Sequence, residues 1–174
     1  AGQLRAMLPR VFNDPGLRFI FSTRSATPFI KKSDGTMFYD EDYTFTPGKD
    51  EMIREGEAGY IVSYGEMLYR CLDVVERMRE EGISIGLINK PTLNVVDPEM
   101  LAVAGNSPFV LVVESQNSKS GLGVRFGTWL LENGFAPKYA HLGTSREGWG
   151  GLGEQVVHQG CDPAGIRSKL SELL

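Results

Sequence analysis

The chain has 174 residues, of which 41% are hydrophobic and 23% charged, and its formal net charge is −4. These values are ordinary for a globular protein, and the negative charge excludes the basic surface by which proteins bind nucleic acid. No apolar run approaches the roughly 20 residues that a membrane-spanning helix needs. We therefore expect neither nucleic acid nor a membrane among its partners, and we expect a cytoplasmic protein.

The first fifty residues differ in pattern from the remainder. Residues 2–12 place apolar side chains at helical spacing, with Pro9 inside the helix, and the apolar run LRFIFS at 17–22 predicts a short strand. Residues 25–50 contain two prolines, two glycines and several aromatic residues, and they are too many for a connection inside a compact domain. The aromatic residues indicate an extended segment that lies on a surface, not a floppy linker.

From residue 51 onward, strands and helices alternate regularly. The charged segment EMIREGE at 51–57 suits an edge strand. The predicted elements that follow are strands at 59–65, 83–89, 109–114 and 138–143, and helices at 65–82, 97–105, 122–134 and 162–174. Apolar strands separated by helices indicate a parallel sheet that is covered on both faces. The predicted fold class is therefore α/β, a three-layer α/β/α sandwich around a mostly parallel mixed sheet of about five strands.

Several residues mark the ends of these helices. Asp97 and Asp162 each precede a proline in the first turn of a helix, which is typical of N-caps. Gly82 predicts the end of the 65–82 helix. We interpret Glu114, like Asp97, as a helix cap and not as a catalyst. The 65–82 helix is predicted to bury one apolar stripe, formed by Met67, Leu68, Cys71, Leu72, Val75 and Met78.

A glycine-rich turn follows the apolar strand at 109–114. A dinucleotide fingerprint requires G-x-G-x-x-G after the first strand of its unit and an acidic residue about 20 positions later. Here Gly121, Gly123 and Gly127 are spaced G-x-G-x-x-x-G, and the turn follows a later strand. The pattern therefore favours a tight backbone turn with close helix packing at Gly127. An anion bound by Ser120, Gly121 and Gly123 at the helix N-terminus stays open as an alternative.

The sequence lacks the full set of residues for several other common kinds of site. His158 and Cys161 form an H-x-x-C pair, but only His141 and Cys71 remain to complete a zinc site, which needs three or four protein ligands. The two cysteines are too few for a disulfide framework. No G-x-S-x-G nucleophile elbow is present. We expect neither a catalytic residue nor a metal site in this chain.

The order of the segments resembles the C-terminal domain of the transketolase family. The matching features are G-K-x-x-x-I-R-E-G at 48–56, S-x-G at 63–65 and N-K-P-T at 89–92, followed by D-P-E at 97–99 and G-x-D-P-x-G-I at 160–166. The strand that ends at Glu114 before a serine- and glycine-rich turn belongs to the same set. This family includes transketolase, deoxyxylulose-phosphate synthase and the beta subunits of 2-oxo acid dehydrogenases.

The resemblance implies a division of the chain into three parts. Residues 1–24 resemble the last helix and strand of the pyrimidine-binding domain that precedes this domain in the family. Residues 25–50 would then be an extended linker, and residues 51–174 the C-terminal-like domain. Arg24 would occupy the place of a family arginine that contacts the phosphate of the sugar substrate, for which a guanidinium group is well suited. An ion pair between Arg24 and the acidic linker is the alternative.

The resemblance also implies what the chain lacks. Family enzymes bind thiamine diphosphate and magnesium through a Gly-Asp-Gly stretch, and only SDGT at 33–36 comes close to it here. The glutamate that activates the cofactor belongs to the pyrimidine-binding domain. We therefore expect no cofactor in this chain, and thiamine diphosphate with magnesium in the parent enzyme.

The function that follows is the C-terminal, non-cofactor-binding portion of a transketolase-like enzyme that transfers two-carbon ketol units between sugar phosphates. The isolated chain would be inactive and would serve assembly, with the remaining domains or subunit as partner and a homodimer as the assembled state. The glycine-rich segment 143–155, with Trp149, is expected to be a contact surface. Two alternatives are a free-standing anion-binding or regulatory subunit, and the C-terminal part of a 2-oxo acid dehydrogenase beta subunit.

Overall fold

The structure is a computed structural model that describes residues 2–23, 26–148 and 154–174. Its elements are, in chain order, α1 (Gly2–Phe12), β1 (Glu51–Arg54), β2 (Gly59–Ser63), α2 (Met67–Glu80), β3 (Ile85–Asn89), α3 (Pro98–Gly105), β4 (Phe109–Asn117), α4 (Leu122–Glu132), β5 (Lys138–Thr144), α5 (Gln155–His158) and α6 (Pro163–Ser171). Within the described residues, no helix has the length and apolar character needed to cross a bilayer.

The five strands form one sheet in the order β1-β3-β2-β4-β5. The pairs β3–β2, β2–β4 and β4–β5 are parallel, whereas β1 pairs with β3 in the antiparallel direction. The short, charged β1 is therefore an edge strand, as its sequence predicts. Each connection between neighbouring parallel strands contains a helix, and these helices pack on the faces of the sheet.

Helices cover both faces of the sheet. Alternate strand residues point to opposite faces, so that Ile61 packs in one hydrophobic cluster and its neighbour Val62 in the other. Helices α2 and α6 complete the first cluster, and α3 and α4 complete the second. The predicted three-layer α/β/α sandwich with a mostly parallel mixed sheet of five strands is confirmed.

The apolar stripe of α2 differs from its prediction at one position. Val74 is buried, whereas Leu72 is only half-buried. Val74 lies three residues after Cys71 and four before Met78, which places it on the face toward the sheet. Gly82 has a φ of +83°, a left-handed conformation that ends the helix as predicted. Both free cysteines, Cys71 and Cys161, lie in the core on this side of the sheet.

The N-terminal segment departs from its prediction. Helix α1 forms but contains no buried residue. The strand predicted at 17–22 is wrong, because residues 17–23 adopt no regular structure. A strand needs a neighbour that satisfies its backbone hydrogen bonds, and no strand of the described sheet lies beside this run. Its aromatic side chains are exposed instead, with 76% of Phe19 and 78% of Phe21 accessible to solvent.

Residues 26–50 form no helix and no strand of the sheet. Ile30 and Phe45 are buried and anchor it. An isolated antiparallel bridge between Lys31 and Met37 closes a tight turn within it. The segment is therefore held against the domain at several points and does not hang free.

Candidate functional site

The carboxyl ends of the parallel strands are where an open α/β sheet places its ligands. From β2 the chain passes through α2 to β3 on one side, and from β3 it passes through α3 to β4 on the other side of β2. The crevice between the ends of β2 and β4 is thus the topological switch point, the usual ligand position in such sheets. The glycine turn at 118–121 lies at this crevice.

A buried carboxylate occupies the glycine turn. Glu114 has no solvent-exposed surface, and its Oε2 accepts hydrogen bonds from the Leu122 amide at 2.8 Å and the Tyr64 hydroxyl at 3.0 Å. Its Oε1 accepts from the Gly123 amide at 2.8 Å. A negative charge at a helix N-terminus is stabilised by the helix dipole and by the unpaired amides of the first turn. The interpretation of Glu114 as a helix cap is confirmed.

Asp97 serves α3 in the same way. Its carboxylate accepts hydrogen bonds from the Glu99 amide and, at 2.9 Å, from the Asp50 amide. It therefore caps a helix and at the same time fixes the start of β1. The prediction that Asp97 is a cap is also confirmed.

The glycines serve close packing around this cap. A Cβ at Gly121 would collide with the carboxylate of Glu114, and a Cβ at Gly123 would lie 2.6 Å from the Cβ of His141. A Cβ at Gly127 would lie 3.0 Å from the ring of Tyr139. The interpretation of these residues as a backbone turn with close helix packing is confirmed.

The amides of the turn are all engaged inside the chain. The amides of Ser120 and Gly121 donate to the carbonyl of Asn117, and those of Leu122 and Gly123 donate to Glu114. An external anion would have to displace Glu114 to reach them. The anion site at Ser120, Gly121 and Gly123 therefore stays a prediction that this geometry does not favour.

We expect Gly123→Ala to destabilise the chain by about 1–3 kcal/mol, because the new methyl group would overpack the contact with His141 in β5. Gly148→Ala is the matched control, since a Cβ there meets no atom of the described residues within 4 Å, and its effect should stay within about 0.5 kcal/mol. Urea unfolding of both variants measures the difference. Equal stabilities would show that α4 can move away from β5 without cost.

A buried ion pair lies near the ends of β1 and β3. Lys90 Nζ donates to Asp50 at 3.0 and 3.2 Å and to the Val95 carbonyl at 2.7 Å, and both charged side chains are 1% exposed. Burial raises the pKa of Asp50 to about 6, against the opposing effect of Lys90. Lys90 also lies 5.3 Å from the ring centre of Trp129. The only local signal of this ion pair is a lysine directly after an apolar strand. The sequence therefore did not predict the pair.

A second cluster joins the extended segment to the sheet through Glu51. The carboxylate of Glu51 accepts hydrogen bonds from Tyr39 at 2.7 Å, from Asn89 at 2.8 Å and from Tyr43. Gln3 of α1 donates to the same carboxylate at 3.3 Å. Burial and the Glu51 carboxylate raise the pKa of both tyrosines well above the ordinary value. This cluster fixes α1 and residues 26–50 on the C-terminal domain.

A cleft of about 320 Å³ opens at the switch point. Its walls include Phe21 from the N-terminal segment and, from the C-terminal domain, Tyr64, Leu93, Gln116, Ser120 and Arg125. Among the described residues, Arg125 has no carboxylate within ion-pair distance, and its side chain is exposed. The cleft therefore combines an exposed guanidinium group with polar and aromatic walls.

The other predicted site residues are dispersed or lie outside the described residues. Arg24 and Trp149 belong to the second group, so their predicted roles stay predictions. Cys71 lies in α2 and His141 in β5, on the two different sides of the sheet that α2 and α4 cover. Among the described residues, no group of three or more potential metal ligands comes together.

Comparison with known proteins places the domain in a family. The family model for the transketolase C-terminal domain matches residues 48–145. A subunit of the apulose-4-phosphate transketolase of Actinobacillus succinogenes is 26% identical over 132 residues, which are 74% of this chain and 42% of the relative. A putative transketolase C-terminal section of Methanocaldococcus jannaschii is 27% identical over 147 residues, which are 82% of this chain and 46% of the relative.

Solved structures show the same fold. A split-gene transketolase, described as an inactive beta4 tetramer, superposes with a TM-score of 0.85 at 21% identity, over 99% of this chain and 54% of that chain. Deoxyxylulose-phosphate synthases and 2-oxo acid dehydrogenase beta subunits also match parts of the sequence. The chain spans less than half the length of the first curated relatives that it matches. Because the family match extends over more than half of the chain, this protein belongs to the transketolase family and carries its C-terminal domain.

Proposed function

We propose that this chain is the C-terminal, non-cofactor-binding portion of a thiamine-diphosphate-dependent, transketolase-like enzyme. The parent enzyme transfers two-carbon ketol units between sugar phosphates in the cytoplasm, and this portion serves assembly and supports a homodimer. The isolated chain is inactive. The observation that carries the proposal is the large exposed apolar surface of residues 2–23.

This surface belongs to a segment in which none of the residues 2–23 is buried. The exposed large apolar side chains of this segment are Leu4, Leu8, Phe12, Leu17, Phe19, Ile20 and Phe21. Seven exposed large apolar side chains in one short segment are typical of an interaction site. A helix followed by an apolar run that could become a strand is also what the end of a pyrimidine-binding domain would contribute. The segment therefore fits a surface that the remainder of that domain covers.

The residues of this chain do not fit a thiamine diphosphate site. The nearest match to the family's Gly-Asp-Gly stretch is the SDGT turn at 33–36, where Asp34 accepts hydrogen bonds from the amide of Thr36 at 2.9 Å and its hydroxyl at 2.6 Å. That carboxylate is engaged within its own exposed turn. Cofactor and magnesium are accordingly assigned to the remainder of the parent enzyme.

The sugar-phosphate reaction is preferred over the oxidation of a 2-oxo acid. A relative that matches 74% of this chain is named for a transketolase acting on a sugar phosphate. Arg24 is proposed to contact the substrate phosphate, which a guanidinium group can bind through two parallel hydrogen bonds. Assays of the parent enzyme with sugar phosphates and with 2-oxo acids distinguish the two reactions.

Titration of the purified chain with thiamine diphosphate and magnesium tests its place in the enzyme. We expect no saturable heat, because the described residues offer no site for the diphosphate. A stoichiometric titration would contradict the proposal.

The mass of the polypeptide in extract of its source shows whether these residues are part of a longer chain or a separate subunit. A separate subunit that co-purifies with no thiamine-binding protein would favour the regulatory alternative.

Substitution of the exposed segment tests the assembly role. We expect Phe19→Ser to leave the stability of the isolated chain within about 0.5 kcal/mol, because the ring is already exposed. The same change should abolish association with the thiamine-binding part of the enzyme, measured by co-purification and by size. Leu131→Ser is the matched control, since Leu131 is 72% exposed on α4. Equal association of both variants would show that another surface carries the assembly.

A further inference from the structure

We infer that two copies of this chain associate through β5, by joining their sheets edge to edge. This inference rests on the homodimer of the proposed function and names its contact surface. β5 is one of the two outer strands, since the sheet has the order β1-β3-β2-β4-β5. An outer strand carries a row of unpaired backbone donors and acceptors, which pair readily with a strand of another chain.

The two edges of the sheet differ in how well they are protected. β1 has four residues, of which Glu51 and Arg54 are charged, and residues 26–50 hold both of these side chains by hydrogen bonds. β5 has seven residues, and Lys138, at its start, is its only lysine, arginine or carboxylate. Within the described residues, no segment pairs with the outer side of β5. The edge at β5 is therefore the one that is open to another chain.

The hydrogen bonds at the two ends of β5 show which backbone groups point outward. The amide of Lys138 donates at 3.1 Å to the carbonyl just before β4, and the carbonyl of Thr144 accepts at 3.0 Å from the amide just after β4. Backbone groups of successive strand residues point to alternate sides, so the even-numbered residues of β5 face β4. The backbone groups of Tyr139, His141 and Gly143 therefore point away from the sheet.

These outward groups define the register of the pairing. Gly143 is buried, and Pro137, the outward residue before β5, has no N–H. The outward donors that remain are the amides of Tyr139 and His141, which have no partner in the part of the chain that the structure describes. They lie symmetrically about Ala140. A copy related by a two-fold axis through Ala140 places its His141 opposite Tyr139, and each such antiparallel pair exchanges two hydrogen bonds.

Exposed apolar side chains lie beside the same edge. Helix α4 packs on β5, where a Cβ at Gly127 would lie 3.0 Å from the ring of Tyr139. Val124 and Leu131 lie three positions before and four positions after Gly127, so they share its side of the helix. They are 42% and 72% exposed. A second copy fits both observations, because its β5 offers the same backbone groups and its α4 the same apolar side chains.

Self-association of the purified chain tests the inference. By sedimentation we expect a dimer with a dissociation constant of about 1–100 μM, as for a small interface. The amides of Tyr139 and His141 should exchange hydrogen more slowly at high protein concentration, whereas the amide of Ala140, which faces β4, should not change. A chain that stays monomeric at about 1 mM would overturn the inference. A dimer in which the amides of Tyr139 and His141 keep their monomer exchange rates would overturn it as well.

A cysteine at the two-fold axis reports the register. In Ala140→Cys, mild oxidation should link two copies, because opposed residues of this kind have Cα atoms about 4.5 Å apart, within the reach of a disulfide. Ala136→Cys, at an exposed position before β5, is the matched control and should link far less. The two native cysteines are buried and do not interfere. Equal linking of both variants would contradict the proposed register.

His141→Pro removes one outward N–H and leaves the hydrogen bonds to β4 in place, which an edge strand tolerates. It should weaken self-association about tenfold or more while the chain stays folded, as followed by circular dichroism. Equal self-association of the folded variant and the unaltered chain would overturn the inference.

Two surface variants separate this inference from the proposed function. Leu131→Ser should weaken self-association but still co-purify with the thiamine-binding part of the enzyme. Phe19→Ser should show the reverse, because residues 2–23 lie outside the paired edge. Self-association that is lost in Phe19→Ser and kept in Leu131→Ser would assign the dimer to the N-terminal segment and overturn the inference, whatever the outcome for the thiamine-binding part.

Discussion

Glu114→Ala should lower the free energy of unfolding by about 3–5 kcal/mol, a large share of the 5–15 kcal/mol that holds a typical domain together. The substitution removes a fully buried acceptor and leaves the amides of Leu122 and Gly123 and the hydroxyl of Tyr64 without their partner. Each unsatisfied buried polar group costs about 1–3 kcal/mol, and entry of water into the new space recovers part of this cost.

Two further variants show whether the cap is the cause. Glu114→Gln keeps one acceptor oxygen but replaces the other by a donor that faces an amide, so we expect an intermediate loss. Glu132→Ala changes the same residue type at an exposed position at the end of α4 and should leave the midpoint of urea unfolding unchanged. A loss in Glu114→Ala no larger than that in Glu132→Ala would mean that α4 does not depend on this carboxylate.

The strands and helices of the sandwich could be predicted because their signals are local. Apolar runs such as FVLVVE, the Asp-Pro pairs before α3 and α6, and Gly82 after α2 each determine the structure of their own neighbourhood. Glu114 could be interpreted as a cap because it lies only eight positions before Leu122, whose amide donates a hydrogen bond to it. These features needed no knowledge of distant contacts.

The features that the sequence did not reveal depend on residues far apart in the chain. Lys90 and Asp50 are 40 positions apart, and their pairing follows only from the order of the strands in the sheet. Glu51 similarly collects hydrogen bonds from residues up to 48 positions away. The prediction of a strand at 17–22 failed for the opposite reason. Its local pattern is strong, but the described sheet offers it no neighbouring strand. Local patterns predict elements, whereas pairing requires the fold.

Lys90→Met should destabilise the chain by about 3–5 kcal/mol at pH 8, because it leaves the carboxylate of Asp50 buried without its cation. Lys32→Met removes an ion pair of similar length, 3.1 Å, from the surface, and it should cost far less. The double variant Asp50→Leu/Lys90→Met should recover most of the loss, because burying two apolar side chains leaves no unpaired charge. Urea unfolding of the unaltered chain, Asp50→Leu, Lys90→Met and the double variant completes a double-mutant cycle.

The dependence of this loss on pH identifies Asp50 as its source. Burial raises the pKa of Asp50 from the ordinary 3.8 to about 6, so between these values the folded chain binds more protons than the unfolded chain and stability falls as pH rises. Without Lys90 the pKa of Asp50 should rise further, and the same fall should continue above pH 6. The cost of Lys90→Met should therefore be smaller at pH 5 than at pH 8. A cost that does not change with pH would show that the lost packing of the lysine stem, and not the unpaired carboxylate, sets the effect.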